Sequence, residues 1–363
     1  RRARARPAPE VGPVRFAFTD DQLLFRDTVR DLLVKECQPE QVRYAWVDDD
    51  GRLPEVWASL AEMGVLGVQV PESHGGLGLS ELDLVLLLEE AGRAALPDPL
   101  VEVAAVAAPL LADLEVAAAS EHAARAAGRW LPAIAGGEAV VALAIDGTDL
   151  VSHGGDADLL LALRDGALVA VPGADVDATS QPSVDGSRSL TTVGWAGRDE
   201  TVLARSQDAA AAVSRALDRG ALGTAAVLLG LGQQLLDMTV AYVKERRQFG
   251  VPVGSFQAVK HHLADAALRL EFARPVVYGA AWSMATGRPD ATRAAPHAKA
   301  AAGDAARLAG RHALQCHGAI GYTVEYDLHL WLKRVWALSA SWGDAAHHRR
   351  KVADALLGPA GNP

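Results

Sequence analysis

The spacing of apolar residues changes period twice along this chain, and that change limits the folds open to it. Up to about residue 135 the spacing is helical. Leu23, Leu24, Val29, Leu32 and Leu33 outline one helix, entered through Thr19-Asp20-Asp21-Gln22 with the spacing of a capping box. Val56, Trp57, Leu60 and Met63 outline another, which stops at Gly64, a residue that favours left-handed caps. Gly75, Gly76 and Gly78 then let the chain turn before a helix over Glu81 to Arg93. Between Ala139 and Ala204 the apolar runs shorten to strand length: Val140 to Ile145, Leu159 to Leu163, Ala167 to Val171, Thr191 to Trp195 and Thr201 to Ala204. Gly, Asp and Ser punctuate them, which predicts a small antiparallel β-domain. From Gln207 long Ala/Leu-rich helices return and run nearly to Gly358, with periodic sets at Val227, Leu231, Leu235, Met238 and at Ala301, Ala305, Leu308. The expected fold is mainly α with a small β-domain. It divides into a disordered tail over 1–15, a helical domain over 16–135, a β-domain over 136–206 and a helical bundle over 207–360.

Composition removes several classes of function. A chain of 363 residues, half of them hydrophobic, is long enough for two or three units around a sizeable core. The formal net charge of −10 and the lack of a basic cluster argue against nucleic acid as a partner. The opening Arg1-Arg2-Ala3-Arg4-Ala5-Arg6-Pro7 has no apolar segment behind it and does not read as a secretory signal. The longest apolar runs, such as Ala221 to Gly232, are short for a bilayer span, so no membrane is expected. Cys37 and Cys316 are far apart and lack metal-ligand spacing, which points to a reducing, cytoplasmic setting. His261-His262 and His347-His348 are adjacent pairs whose side chains diverge on a helix, and no metal is expected from them.

Three segments carry chemistry. In Glu245-Arg246-Arg247-Gln248-Phe249-Gly250, followed by Phe256-Gln257, a guanidinium suits a pyrophosphate and Gln257 adds hydrogen-bonding groups. The plainer reading is a helix C-terminus with arginine complementing the dipole and Phe249 in the core. In Gln315-Cys316-His317-Gly318-Ala319-Ile320-Gly321-Tyr322 the small residues allow a backbone to approach phosphates closely, while Cys316 and His317 have no partner for nucleophilic work. The third segment is Ser341-Trp342-Gly343-Asp344.

With the run Trp57 to Gly78, these segments resemble the flavin-dependent acyl-CoA dehydrogenases in order and spacing. The corresponding family patterns are Trp-x-x-Leu-x-x-x-Gly-x-x-Gly…Pro-Glu-x-x-Gly-Gly-x-Gly, Glu-Arg-x-x-Phe-Gly…Gln, Gln-x-x-Gly-Gly-x-Gly-(Phe/Tyr) and Glu-Gly-Thr. The resemblance implies an N-terminal helical domain, a short β-barrel-like middle domain and a C-terminal four-helix bundle. It also implies α,β-desaturation of an acyl-CoA thioester, FAD as cofactor and electron-transferring flavoprotein as acceptor.

The departures from the family are as informative. The Glu that commonly removes the α-proton falls on Trp342, and indole has no basic site near neutral pH. Some relatives place their Glu about ten residues before a Gly-Leu-x-Gln, here Gly230-Leu231-Gly232-Gln233, and that position is Gly220. Asp344 and Asp218 lie two residues from these positions, a displacement that rotates a helical side chain by roughly 200°, so both read as structural carboxylates. The family's Thr-Glu-Pro loop and Trp-x-Thr strand are missing from the β-domain. Gly147-Thr148-Asp149-Leu150 stands near the first, and Trp195 reads as core. Ala319 replaces a common Gly, and the family's Arg-Asp pair is Lys333-Arg334.

The chain thus resembles the base-lacking subunit of heteromeric actinobacterial acyl-CoA dehydrogenases, α2β2 assemblies that handle bulky steroid side-chain thioesters. In that comparison Arg246, Gln248, Phe249, Gln257, Gln315, Gly318 and Ala319 serve the ADP half of FAD shared with a homologous catalytic partner. Two other classes stay open: a self-sufficient flavoenzyme with a relocated base, and a structural or acyl-CoA-binding module without flavin.

Overall fold

The computed structural model describes residues 17–47, 51–145, 150–195 and 200–358. The basic opening segment and Gly147-Thr148-Asp149 lie outside the described residues. The first part is helical: α1 (Asp20–Glu36), α2 (Pro39–Ala45), α3 (Pro54–Glu62), α4 (Glu81–Arg93), α5 (Ala108–Val116) and α6 (Glu121–Ala135). Thr19 caps α1 through the expected box, its side chain accepting from Gln22 N while Gln22 returns a bond to the Thr19 backbone. Val29 and Leu33 are buried on α1, whereas Leu24 faces outward. Gly64 follows α3 at φ +80°, the left-handed value anticipated for it. Residues Val101–Ala107 wind as a π-helix that runs directly into α5.

The middle of the chain forms two small sheets. The first has the order β1 (Val141–Ile145), β3 (Leu159–Arg164), β4 (Ala167–Pro172), β7 (Thr201–Arg205). The second has the order β2 (Val151–Ser152), β6 (Leu190–Gly194), β5 (Asp177–Gln181). The expected strands are present to within a residue or so at their ends. The purely antiparallel expectation is corrected at one pair, because β1 and β3 run parallel, Val141 opposite Leu159. β2 and the chain around it lie between the two strands in sequence, supplying the crossover that parallel pairing needs. Two strands of the middle region are absent from the sequence reading, the short β2 and β5, Asp-Ala-Thr-Ser-Gln. β5 is the longer. It is exposed along most of its length and has no apolar alternation to reveal it.

The last part is a helical bundle of α7 (Ser206–Glu245), α8 (Gln257–Ala285), α9 (Ala291–His317), α10 (Leu328–Ala340) and α11 (Ala345–Leu357). α7 is its axis and packs on α4, α8, α9 and α10. By length and composition α7 is apolar enough to cross a membrane, so the expectation that apolar runs here are too short is corrected. Its centre, Gly220 to Gly232, is buried inside the protein by those neighbouring helices. The crossing of α4 and α7 depends on two glycines. A Cβ at position 92 would stand 2.1 Å from Val227 O, and one at position 230 would stand 1.9 Å from Glu89 O. Both contacts are below any tolerable separation, so only glycine permits this approach. Most of the buried apolar residues, from the first helices through β1 to α10, belong to one continuous core, with a small second cluster between the sheets.

Candidate functional site

The sequence-predicted residues fall into two groups at different places. The first is at one end of the bundle. The hydrogen bond from Arg246 N to Tyr242 O closes α7, and the Tyr242 ring stacks on His317 with centroids 4.3 Å apart. Because His317 is the last residue of α9, the Arg246 segment and the Gln315-to-Ala319 segment emerge at the same end of the bundle. His317 is buried, and its Nδ1–H donates to Ala313 O at 2.8 Å. Packing thus accounts for this histidine. Burial also pushes its pKa down.

The chain after α7 forms a two-residue hairpin, β8 (Arg247–Gln248) pairing with β9 (Val251–Pro252). Its turn residues Phe249 and Gly250 both have positive φ, +52° and +82°, the pattern of the tight turn that suits strand twist. For phenylalanine that conformation is strained. Moreover, Phe249 is 92% exposed. The plainer expectation of a core phenylalanine is therefore corrected: a bulky ring is held in a strained turn and pointed into solvent. Arg246, Gln248, Gln257, Gln315, Gly318 and Ala319 are exposed as well. Gly318 ends α9 at φ +65°, with no atom within 4 Å of where a Cβ would be.

The second group lies between the sheets and the bundle, around the loop Ser341–Asp344 that joins α10 to α11. Trp342 has φ +54° and is half-buried. Its carbonyl accepts from His348 Nε2 at 2.9 Å. Lys299, 1% exposed, donates from Nζ to Gly343 O at 3.1 Å and Ser339 O at 3.3 Å. Burial lowers the Lys299 pKa to about 8, against the pull of Asp344. Burial also drives the pKa of His348 down to about 4, aided by Lys299. His348 is therefore neutral at physiological pH and free to donate one N–H to the loop. Sequence reading missed Lys299 and took His348 only as one of a diverging pair, whereas it is buried against the loop. The available signal for Lys299 was its position among Ala295, Ala298 and Ala302, on the face of α9 that is buried.

The indole of Trp342 lies on Gly220. A Cβ there would stand 2.5 Å from both Cδ2 and Cε3 of the ring. The two positions that the resemblance marks for a catalytic carboxylate are therefore in contact, and neither holds one. The neighbouring acids have other partners. Asp344 is the N-cap of α11 and accepts from His347 N at 2.7 Å, a bond that lowers its pKa. Asp218 is buried and accepts from Lys351 Nζ at 2.9 Å; burial raises its pKa while Lys351 pulls it back. A cleft of about 710 Å³ runs along this region, lined by Leu143, Leu190, Leu217, Arg188, Trp342 and Lys351 among others.

Two further expectations concern the β-domain and α10. Trp195 packs against the small second core cluster and donates to Glu200 Oε2 at 2.9 Å, consistent with a structural residue. Lys333-Arg334 keeps an ion pair, with a different partner: buried Arg334 reaches Asp185 Oδ2 at 3.2 Å and Ser187 Oγ at 2.7 Å, joining α10 to the chain between β5 and β6. Among the described residues no group of three His, Cys, Asp or Glu side chains is arranged to hold a metal ion. Both cysteines are free.

Comparison with known proteins places this geometry. Residues 19–138 match the acyl-CoA dehydrogenase N-terminal domain and residues 210–357 the C-terminal domain. The chain is 34% identical over 318 residues to the acyl-CoA dehydrogenase IpdE2 of Mycobacterium tuberculosis, covering 87% of this chain and 91% of that one. Among solved structures, the ChsE4-ChsE5 complex of Mycobacterium tuberculosis has a chain with a TM-score of 0.83 at 24% identity, covering 96% of this chain and all (100%) of that one. A steroid ACAD, Tcur3481-Tcur3483, gives a TM-score of 0.80 at 24% identity, covering 93% and 98%. From the α4–α7 crossing to the exposed Arg246 hairpin, the chain is a member of the acyl-CoA dehydrogenase family of flavin-dependent oxidoreductases.

Proposed function

We propose that this chain is the non-catalytic subunit of a heteromeric acyl-CoA dehydrogenase, completing the FAD site of a homologous partner that carries the base. The observation that carries this reading is the contact of Trp342 with Gly220. Indole fills the space where a carboxylate would have to reach a thioester, and neither Asp344 nor Asp218 is free to replace it. A general base must reach the proton that it removes with an unprotonated acceptor, and the Trp342 ring offers none.

The residues present fit the ADP half of FAD when it is held by another chain. Arg246 and Gln257 are exposed polar groups beside the hairpin, and a guanidinium pairs well with a pyrophosphate. Gly318 leaves its surroundings open for backbone approach to a phosphate oxygen. Phe249 in its strained turn offers an apolar face to a partner surface or an adenine ring. When bound, the flavin supplies the hydride acceptor for desaturation. The role of this chain is to hold and orient the nucleotide end and to shield it from water. We place the substrate in the partner's pocket as an acyl-CoA, with steroid side-chain thioesters the class favoured by the Tcur3481-Tcur3483 likeness. An α2β2 arrangement with electron-transferring flavoprotein as acceptor completes the reading, which the heteromeric ChsE4-ChsE5 neighbour supports. The proposed boundaries remain 16–135, 136–206 and 207–360.

The test is co-expression with the catalytic homologue, followed by Arg246→Ala in this chain. Loss of bound FAD and of activity in an intact complex supports the reading; unchanged flavin content favours a purely structural subunit.

A further inference from the structure

Two imidazoles face each other across α8 and α9, close to the end of the bundle where Gln257 and Gln315 project. α8 starts at Gln257 and α9 ends at His317, and the two helices pack side by side. His262 and His312 each lie five residues inside those ends. Their rings meet with centroids 4.5 Å apart and planes tilted by 37°. Both residues are half-buried. The divergence expected of His261-His262 on a helix separates their contacts. His261 accepts from Gln257 Nε2 at 3.4 Å, while His262 turns to α9.

Imidazole is the side chain whose charge changes near neutral pH. With neutral rings the contact is ordinary packing of two flat groups. Two imidazolium ions at this distance repel, and solvent screens that repulsion only in part at half-buried positions. The surroundings decide how readily the second charge is accepted. Burial, then His262 from α8, then Arg311 on α9 itself disfavour the charged form of His312; Asp265 on α8 favours it, and the net effect lowers the pKa of His312. From α7, Lys244 and Glu245 bring one charge of each sign to the groove that they line with Leu263 and Ala264 of α8. Farther along α9, His317 is stacked on Tyr242 and its pKa is lowered by burial. The packed arrangement of His262 and His312 is therefore favoured when the rings are neutral. It is fully held above the ordinary imidazole range and weakens as pH falls through it.

We infer that the His262–His312 pair is an acid-sensitive joint between α8 and α9, which loosens the nucleotide-holding end of this chain when both rings are protonated. Gln315 lies three residues from His312 on α9, and Gln257 opens the helix that carries His262. A shift of one helix against the other at the pair moves those two glutamines relative to each other. The joint rests on the shared-cofactor reading and adds to it a regulation: the hold on the ADP half of FAD weakens on acidification.

The complex with the catalytic homologue is loaded with FAD, and flavin release is followed by fluorescence at about pH 7.5 and about pH 5.5, on either side of the imidazole range. The expected result is an acceleration at the lower pH about two- to fivefold larger in the wild type than in His312→Gln. The comparison cancels the acid responses of His317 and His348, which both proteins share. Equal acceleration in the two overturns the inference. Should His312→Gln fail to fold, His262→Gln decides the same point by the same readout. In the chain purified alone, the His312 ring is titrated by NMR. Its pKa should rise in His262→Gln, and an unchanged value overturns the coupling. Arg246→Ala separates this inference from the function proposed above. Unchanged flavin content in that variant contradicts the nucleotide reading itself. Loss of flavin there, with equal acceleration in the wild type and His312→Gln, contradicts only the acid-sensitive joint.

Discussion

Gly220 and Trp342 form one packing unit. The ring carbons Cδ2 and Cε3 of Trp342 lie where a Cβ at position 220 would come within 2.5 Å of them. The absence of a side chain on α7 and the presence of the largest one on the α10–α11 loop are thus a single structural fact. Gly220→Ala should destabilise the chain by about 1–3 kcal/mol, because the buried helix cannot move away from the ring. Trp342→Ala should remove most of that penalty, giving a coupling energy of about 0.5–3 kcal/mol in a double-mutant cycle. Urea midpoints at constant m-value measure it, and strictly additive effects would contradict the contact.

The acids beside these two positions should behave as structural groups. Asp344→Ala removes the N-cap of α11 and should lower its stability measurably. Asp218→Asn weakens the tie to Lys351. In a complex with the catalytic partner, both variants should keep the wild-type pH–rate profile. A lost or shifted basic limb in either variant would identify a relocated base in this chain.

His348 should make the chain acid-sensitive. Its pKa falls from 6.5 to about 4 on folding, so between those values the unfolded chain binds more protons than the folded one. Stability therefore rises with pH across this window and is lost as pH falls from 6.5 toward 4. The contribution is on the order of 3 kcal/mol, at 1.36 kcal/mol per unit. His348→Gln keeps an N–H for Trp342 O and should flatten the stability curve over that range, as followed by thermal melts. A curve that kept its full slope would place the acid sensitivity elsewhere.

Arg334 joins two parts of the fold. Removing it by Arg334→Met leaves Asp185 buried without its cation and should cost about 3–5 kcal/mol. Limited proteolysis should then cut first between β5 and β6, where Asp185 and Ser187 lose their tie to α10. Uniform loosening of the whole chain would argue against that local role.

The legible part of this molecule was local. The Thr19–Gln22 capping box, the stop at Gly64 and the five apolar strands each depend on neighbours a few residues away, and the structure contains them all. What escaped the sequence was set at long range. The parallel pairing of β1 with β3 depends on a crossover, and polar β5 is a strand only because β6 lies beside it. The empty base positions were readable as two separate substitutions, but their contact was not, since α7 and the α10–α11 loop meet only in the folded bundle. Lys299 and Arg334 likewise looked like ordinary cations until burial gave them Gly343 O and Asp185 as partners. Phe249 misled the plainer reading because nothing local announces a left-handed phenylalanine in a hairpin turn.

The central claim is that this chain supplies nucleotide contacts for a flavin whose reactive site belongs to another subunit. The direct measurement is the amount of FAD per chain, by absorbance and protein quantification, in the native complex and in the chain purified alone. We expect one FAD per pair of unlike chains, a colourless isolated chain, and loss of flavin from the complex with Arg246→Ala. A yellow chain on its own, carrying one FAD per copy and reduced by an acyl-CoA, would contradict it.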